Sequence, residues 1–511
     1  MTLLLRLTFA HHGGAGSSVP PSRGPSRWGP TLVGSLLIGV ALAVGGPRHA
    51  ASAEAGRPNI VLIIADDLGY GELGCYGGRE IPTPQLDQLA REGVCFTCGY
   101  VTAPFCAASR AGLLTGRYPT RFGFEFNPIG AQNAAPGVGL PVDERTLADR
   151  LRDAGYATAL VGKWHLGGTP PFHPQRRGFD AFFGFLHEGH FYVPPPWEGH
   201  VTWLRRRSLP DGGQGRWQSP DGRVIWSTHL GTTEPPYDAD NPILEGSQPV
   251  DERENLTDAF TRQACAFIRQ HQAQPFFLCL AYSAVHSPMQ AAEAYLARFP
   301  QIDDIHRRIF AAMLAHLDDG VGRVLATLRE CGLAERTLVV FLSDNGGPTR
   351  ELTSRNSPLR GEKGQLWEGG IRVPMLLCWP GRLPRGHIEP RWASALDLTA
   401  TMLAAAGVPL PEALDGADLL PHLAPPHGQP LRRQHYWRVG PQAAYREGDW
   451  KIARPRGSGR WQLYDLAADP GETRDLAAEQ PQRVAMLQAA WQALDTQMAA
   501  PRWGPAGRDP P

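Results

Sequence analysis

Two apolar runs end in residues that could hold a cation. Asn59-Ile-Val-Leu-Ile-Ile-Ala65 leads into Asp66-Asp67, and Thr337-Leu-Val-Val-Phe-Leu-Ser343 leads into Asp344-Asn345. Continuous apolar runs of this kind are strands buried on both faces, as in parallel sheets. Ligands of open parallel sheets sit beyond the carboxyl ends of the strands. If the two strands are neighbours, three carboxylates and an amide converge. Such a cluster repels itself unless a cation sits in it. All-oxygen ligation favours a hard ion, Ca²⁺ or Mg²⁺, over zinc. An Asp after a strand is also a common turn or helix cap, but two such pairs together favour a metal.

The segment Cys106-Ala-Ala-Ser-Arg-Ala-Gly-Leu-Leu-Thr-Gly-Arg117 follows Pro104 and can start a helix. A Cys at a helix N-terminus meets the positive end of the dipole, which suits an anion-binding nucleophile. The basic residues are lopsided. Only Lys163, Lys363 and Lys451 are lysines, and all other cations are Arg. Where Arg has replaced Lys so widely, a surviving lysine marks a place that a guanidinium fork cannot fill.

The positioning elements alternate. Residues 156–161, 275–281 and 375–379 read as further strands. Helical patterns cover 146–154, with Thr146 as N-cap, 257–270 and 306–331. Strand–helix alternation predicts an α/β fold, a large mostly parallel sheet sandwiched by helices. Residues 187–250 are dense in Pro, Gly and Trp and read as long loops shaping a pocket. Beyond about 430 the pattern becomes antiparallel: a hairpin over 443–453, a short strand at 461–465 and a closing helix over 482–498. The expected organisation is a leader over 1–53, a catalytic α/β domain over 54–429 and a C-terminal antiparallel-sheet-plus-helix subdomain over 430–511.

Composition sets the class. The 511 residues are 42% hydrophobic, with 58 Gly and 48 Pro, which excludes a disordered chain. Fifty basic and fifty acidic residues give no net charge and argue against nucleic acid as a partner. Residues 1–53 carry four Arg and no acid, then an apolar run from Thr31 to Gly46 and Ala51-Ser-Ala53. That is the pattern of a cleaved secretory signal. The run is short of the ~20 residues of a membrane span. The expectation is an exported protein, periplasmic or secreted, with no stable membrane anchor after cleavage. Eight cysteines in a chain this long are not a disulfide scaffold. Cys95-x-x-Cys98 lacks the second pair a zinc site needs.

The Cys106 segment resembles the signature of the sulfatases, whose Cys-x-Pro/Ala-Ser-Arg motif is modified after synthesis. The resemblance runs in order through Asp66-Asp67-Leu-Gly-Tyr-Gly, Gly162-Lys-Trp-His-Leu-Gly167, Val285-His-Ser-Pro288, Ser343-Asp-Asn-Gly346, Gly361-Glu-Lys-Gly364 with Trp367-Glu-Gly-Gly, and Leu463-Tyr-Asp-Leu466. It implies the alkaline-phosphatase-like fold and sulfate monoester hydrolysis on a sulfated glycan or aryl sulfate. It implies oxidation of Cys106 to formylglycine (3-oxoalanine) by a formylglycine-generating enzyme. One hydroxyl of the aldehyde hydrate would attack sulfur, and the other would help expel sulfate. Asp66, Asp67, Asp344 and Asn345 would hold Ca²⁺ with an oxygen of the modified Cys106. Arg110 and Lys163 would hold the modified side chain, His165 would be the base beside it, and His286 and Lys363 would face the ester. Position 108 is Ala where the family more often has Pro, so conversion depends on the host's maturation enzyme. The rival readings are a phosphonate monoester or phosphodiester hydrolase on the same fold and a silent glycan-binding protein. No second His/Asp cluster for a two-zinc phosphatase is visible. His190 is a further candidate contact, and Asn255-Leu-Thr257 is a formal glycosylation sequon.

Overall fold

The computed structural model describes residues 56–237, 240–423 and 434–505. The leader expected over 1–53 lies outside them. Seven strands form the centre of the main sheet: β1 Asn59–Ala65, β2 Val94–Tyr100, β3 Ala157–Lys163, β4 Ala181–Phe185, β5 Phe276–Ala281, β6 Thr337–Ser343 and β7 Arg372–Cys378. Their spatial order is β2-β7-β6-β1-β5-β3-β4. Neighbours from β6 to β4 are parallel, and β7 runs against both β6 and β2.

Strand β1 shows why these runs are apolar throughout. Ile60, Leu62 and Ile64 point into one core, and Val61, Ile63 and Ala65 into another. Helices cover both faces, so successive residues in the alternation are all buried. The first core takes helices Cys106–Thr115, Leu147–Asp153 and Ala395–Ala405. The second takes Pro84–Glu92, Leu256–Gln270 and Ile305–Glu330. Thr146 caps its helix in a full capping box with Asp149.

The segment 187–250 differs from its reading as loops. Strands His200–Arg205, Arg216–Gln218 and Val224–Ser227 join Met289–Ala292 in a second, four-stranded sheet. Its strands are only three to six residues long, too short to show a period between Pro and Gly turns. Asn255 is buried and caps the helix Leu256–Gln270, its Oδ1 accepting from Thr257 N at 2.9 Å. The sequon is thus used as a helix cap.

A third sheet, antiparallel, orders Gln434–Val439, Gln442–Glu447, Trp450–Arg454 and Gln462–Asp465, with helix Pro481–Asp495 packed on it. Lys451 fastens it to the main body. Its Nζ lies 2.9 Å from Glu368 and 2.9 Å from Glu472, and all three side chains are fully buried. Burial pushes Glu472 up to about 7. Burial acts the same way on Glu368, but Lys451, Arg372 and Arg446 outweigh it and bring that carboxyl down to about 2. Lys451→Met strands two buried carboxylates and is expected to cost ~3–5 kcal/mol of unfolding free energy. Urea titration checks this, and a loss below ~1 kcal/mol would contradict it.

Candidate active site

The carboxyl ends of β1, β3, β5 and β6 lie side by side. Ala65 pairs with Ser343, so Asp66 and Asp344 leave adjacent strands at one level. Asp344 N donates to Ala65 O at 3.0 Å. Asp66 N donates to Ala284 O, and Val285 N to Asp66 O, which ties the His286 loop to the first acidic pair. Asp67 and His165 both have positive φ, 64° and 58°. Non-glycine residues held there by their surroundings cluster at functional sites. Gly346 sits against Gly369, where a Cβ would come within 1.8 Å of its carbonyl oxygen. That contact requires glycine at 346, and glycine at 369 is required separately, because a Cβ there would come within 2.4 Å of Gly361 O.

Cys106 opens the helix Cys106–Thr115, and Arg110, one turn on, shares its face. Every predicted metal and catalytic residue meets here. Lys163 Nζ is 2.6 Å from Asp66 Oδ2, and Lys363 Nζ is 2.8 Å from Asp67 Oδ2. Arg110 Nε donates to Asp344 Oδ2 at 2.9 Å, with Nη2 at 2.8 Å. Asn345 Nδ2 donates to Asp67 Oδ1 at 2.7 Å. Cys106 Sγ is 3.5 Å from Asp66 Oδ1, and His286 Nε2 is 3.7 Å from Asp67 Oδ2. Ligand atoms of Asp66, Asp67, Cys106 and His286 lie within 4.8 Å of one another.

Burial dominates the electrostatics. It would raise Asp66, but Lys163, Arg110 and Lys363 outweigh it and hold that carboxyl well below the usual range. Burial raises Asp67 despite Lys363. Burial, then the charge of Asp66, brings Asp344 to about 6 against Arg110. The Cys106 thiol is pushed up, by burial first and Asp66 second. Burial thus opposes the effect of the helix N-terminus on this thiol.

The two histidines are fixed as neutral rings with a defined free nitrogen. His165 Nε2–H donates to Pro128 O at 2.9 Å, and its buried Nδ1 has no partner. Burial, then Lys163, holds this ring well below the usual imidazole range. His286 Nδ1–H donates to Ser287 O at 2.5 Å, which turns Nε2 toward Asp67. Burial brings it down to about 3.

A cavity of about 310 Å³ opens above Cys106, lined among others by Phe105, His165, His286, Lys363, Glu188, Arg205, Tyr237 and Glu351. The donor set below it fits a hard cation. Three buried carboxylates converge, and Asn345 Oδ1 is buried with no hydrogen-bond partner, an orphaned oxygen of the kind a hard cation takes. His190 is not among the lining residues. Its Nδ1 bonds Phe191 O at 2.7 Å, and its ring lies against Phe185. Glu188, Arg205, Tyr237 and Glu351 were not foreseen. They come from the loops and small sheet of the 187–250 segment and from the short helix Thr349–Leu352 beyond β6, and only the tertiary fold brings them together.

The sulfatase family model matches residues 58–408. The chain belongs to the sulfatase family. A second model, N-sulphoglucosamine sulphohydrolase, C-terminal, matches residues 362–499. Human arylsulfatase A is 35% identical over 93% of this chain and 94% of its own length. N-acetylgalactosamine-6-sulfatase of Sus scrofa is 34% identical over 81% of this chain and 75% of its own. The crystal structure of Ps i-CgsB in complex with k-i-k-neocarrahexaose matches with TM-score 0.77 and 34% identity, over 88% of this chain and 95% of that one. The protein is therefore an enzyme of the sulfatase class, a sulfuric ester hydrolase. Among the described residues no helix is long and apolar enough to cross a membrane.

Proposed function

We propose that this sulfatase is exported and cleaves sulfate monoesters of a carbohydrate or aryl alcohol, using formylglycine at position 106 beside one Ca²⁺. The observation that carries this reading is charge balance around the buried side chain of Cys106. Asp66, Asp67 and Asp344 face Lys163, Lys363 and Arg110, three anions against three cations. A divalent ion held by Asp66, Asp67, Asp344 and Asn345 adds two positive charges, which match a sulfate ester anion and an ionised nucleophile. Formylglycine would supply a geminal diol, one oxygen for attack and one for release. A maturation enzyme must first act on Cys106, and residues 1–53 would serve as the leader of the exported chain.

The remaining roles follow from positions. Arg110 and Lys163 hold the side chain at 106. Nδ1 of His165 accepts a proton in the release half of the cycle, ready as a neutral base. Lys363 and His286 face the departing alcohol. The negative charge of a bound sulfate ester raises the proton affinity of His286, so its Nε2 can carry a proton to the leaving oxygen.

This division has a test. Help to the leaving group matters for a basic sugar alkoxide and little for nitrophenolate. His286→Ala and Lys363→Ala should lower kcat/KM for a sugar sulfate ~10²-fold more than for 4-nitrophenyl sulfate. His165→Ala should instead show a burst of alcohol followed by slow sulfate release with both esters. Equal losses on both esters would remove the leaving-group role from His286 and Lys363.

A further inference from the structure

The walls of the cavity above Cys106 differ from its floor. Beneath lie the cations and imidazoles described above. The walls are largely apolar, with Phe105, Phe126, Ile129, Pro235 and Tyr237, and they carry three charged side chains, Glu188, Arg205 and Glu351. Among the described wall residues above the floor, Arg205 is the only cation, and its donors are committed. Its Nε and Nη2 bond Glu234 at 3.0 and 2.8 Å, Nη2 also reaches Tyr237 Oη at 3.2 Å, and Nη1 lies 2.7 Å from Glu351 Oε1. Glu351 is held in turn by Ser287 Oγ, which donates to it at 2.8 Å. A second anionic group on a substrate would have to displace one of these carboxylates from a side chain that is only 13% exposed. Two carboxylates on one guanidinium leave this wall with one net negative charge. Glu188 adds another, its carboxylate fixed by Gly130 N at 2.9 Å and Asn133 Nδ2 at 2.5 Å.

We propose that Glu188 and the Arg205–Glu351 pair form a charge filter, so that the pocket takes esters with a single sulfate on an otherwise uncharged ring. The inference rests on the sulfate-ester reading above and names the substrate class within it. The cation-rich floor attracts one sulfate. The apolar walls cover the ring that carries it. A second sulfate or a carboxylate on that ring would face Glu188 and Glu351, partly exposed charges of like sign whose repulsion salt can screen.

The test compares N-acetylgalactosamine 6-sulfate with its 4,6-disulfate. The Ca²⁺-loaded, modified enzyme should favour the monosulfate in kcat/KM by about tenfold or more, and added salt should narrow the gap. Glu188→Gln and Glu351→Gln should each raise the disulfate-to-monosulfate ratio. Glu188→Gln leaves the Arg205 pairings untouched, so it holds the test if Glu351→Gln disturbs the fold. Calorimetric binding of the same two sugars to Cys106→Ala reads the preference without turnover. Tighter monosulfate binding with no hydrolysis by the modified enzyme would overturn the hydrolytic reading and keep the filter. Equal or tighter binding of the disulfate, or no binding of either sugar, overturns the filter.

Discussion

Replacing Cys106 with alanine is expected to lower turnover of any sulfate ester by ~10⁶-fold, the scale seen when a covalent nucleophile is removed. The fold should survive. The side chain is small, and its removal should change stability by no more than about 1 kcal/mol. Circular dichroism and a denaturant midpoint separate lost chemistry from lost structure. The side chain is buried among the ligand atoms of the acidic cluster, so its removal takes a group from the centre of the site. On the proposed mechanism, activity comes from the modified side chain at position 106. Wild-type rates in the alanine variant would end the account.

Asp344→Asn should release the metal and lower kcat/KM by about 10³-fold, since a Lewis acid contributes several kcal/mol to charge stabilisation. The substitution keeps an oxygen that can accept from Arg110, which bonds Asp344 at 2.9 Å. The cation-pairing geometry is therefore disturbed less than by truncation. Metal content by mass spectrometry and activity should fall together, and excess Ca²⁺ should restore both in part. Full activity after exhaustive chelation, or stoichiometric zinc in place of calcium, would contradict the hard-ion site.

The strands that position the site were legible because both of their faces are covered. β1 is apolar from Ile60 to Ala65 and β6 from Leu338 to Leu342, and each leads directly into the acidic residues of the site. The scarcity of lysine was equally informative. Lys163 and Lys363 touch the acidic cluster, and Lys451 bridges two buried glutamates. β2 escaped notice because two Cys, a Thr and a Gly break its apolar run. Helix Ala395–Ala405 escaped because nearly all of it is buried, so no polar face marks a period of 3.6. Arg205 and Glu351 could not be paired from sequence. They are distant along the chain, and a salt bridge between a strand of the small sheet and the short helix Thr349–Leu352 leaves no local signal.

The most direct test of the account quantifies the side chain at position 106 in preparations made with and without a formylglycine-generating enzyme, alongside sulfate release. Turnover per chain should rise in proportion to the fraction of position 106 found as aldehyde, and should vanish where the thiol is intact. Full turnover from protein whose Cys106 remains a thiol would contradict it.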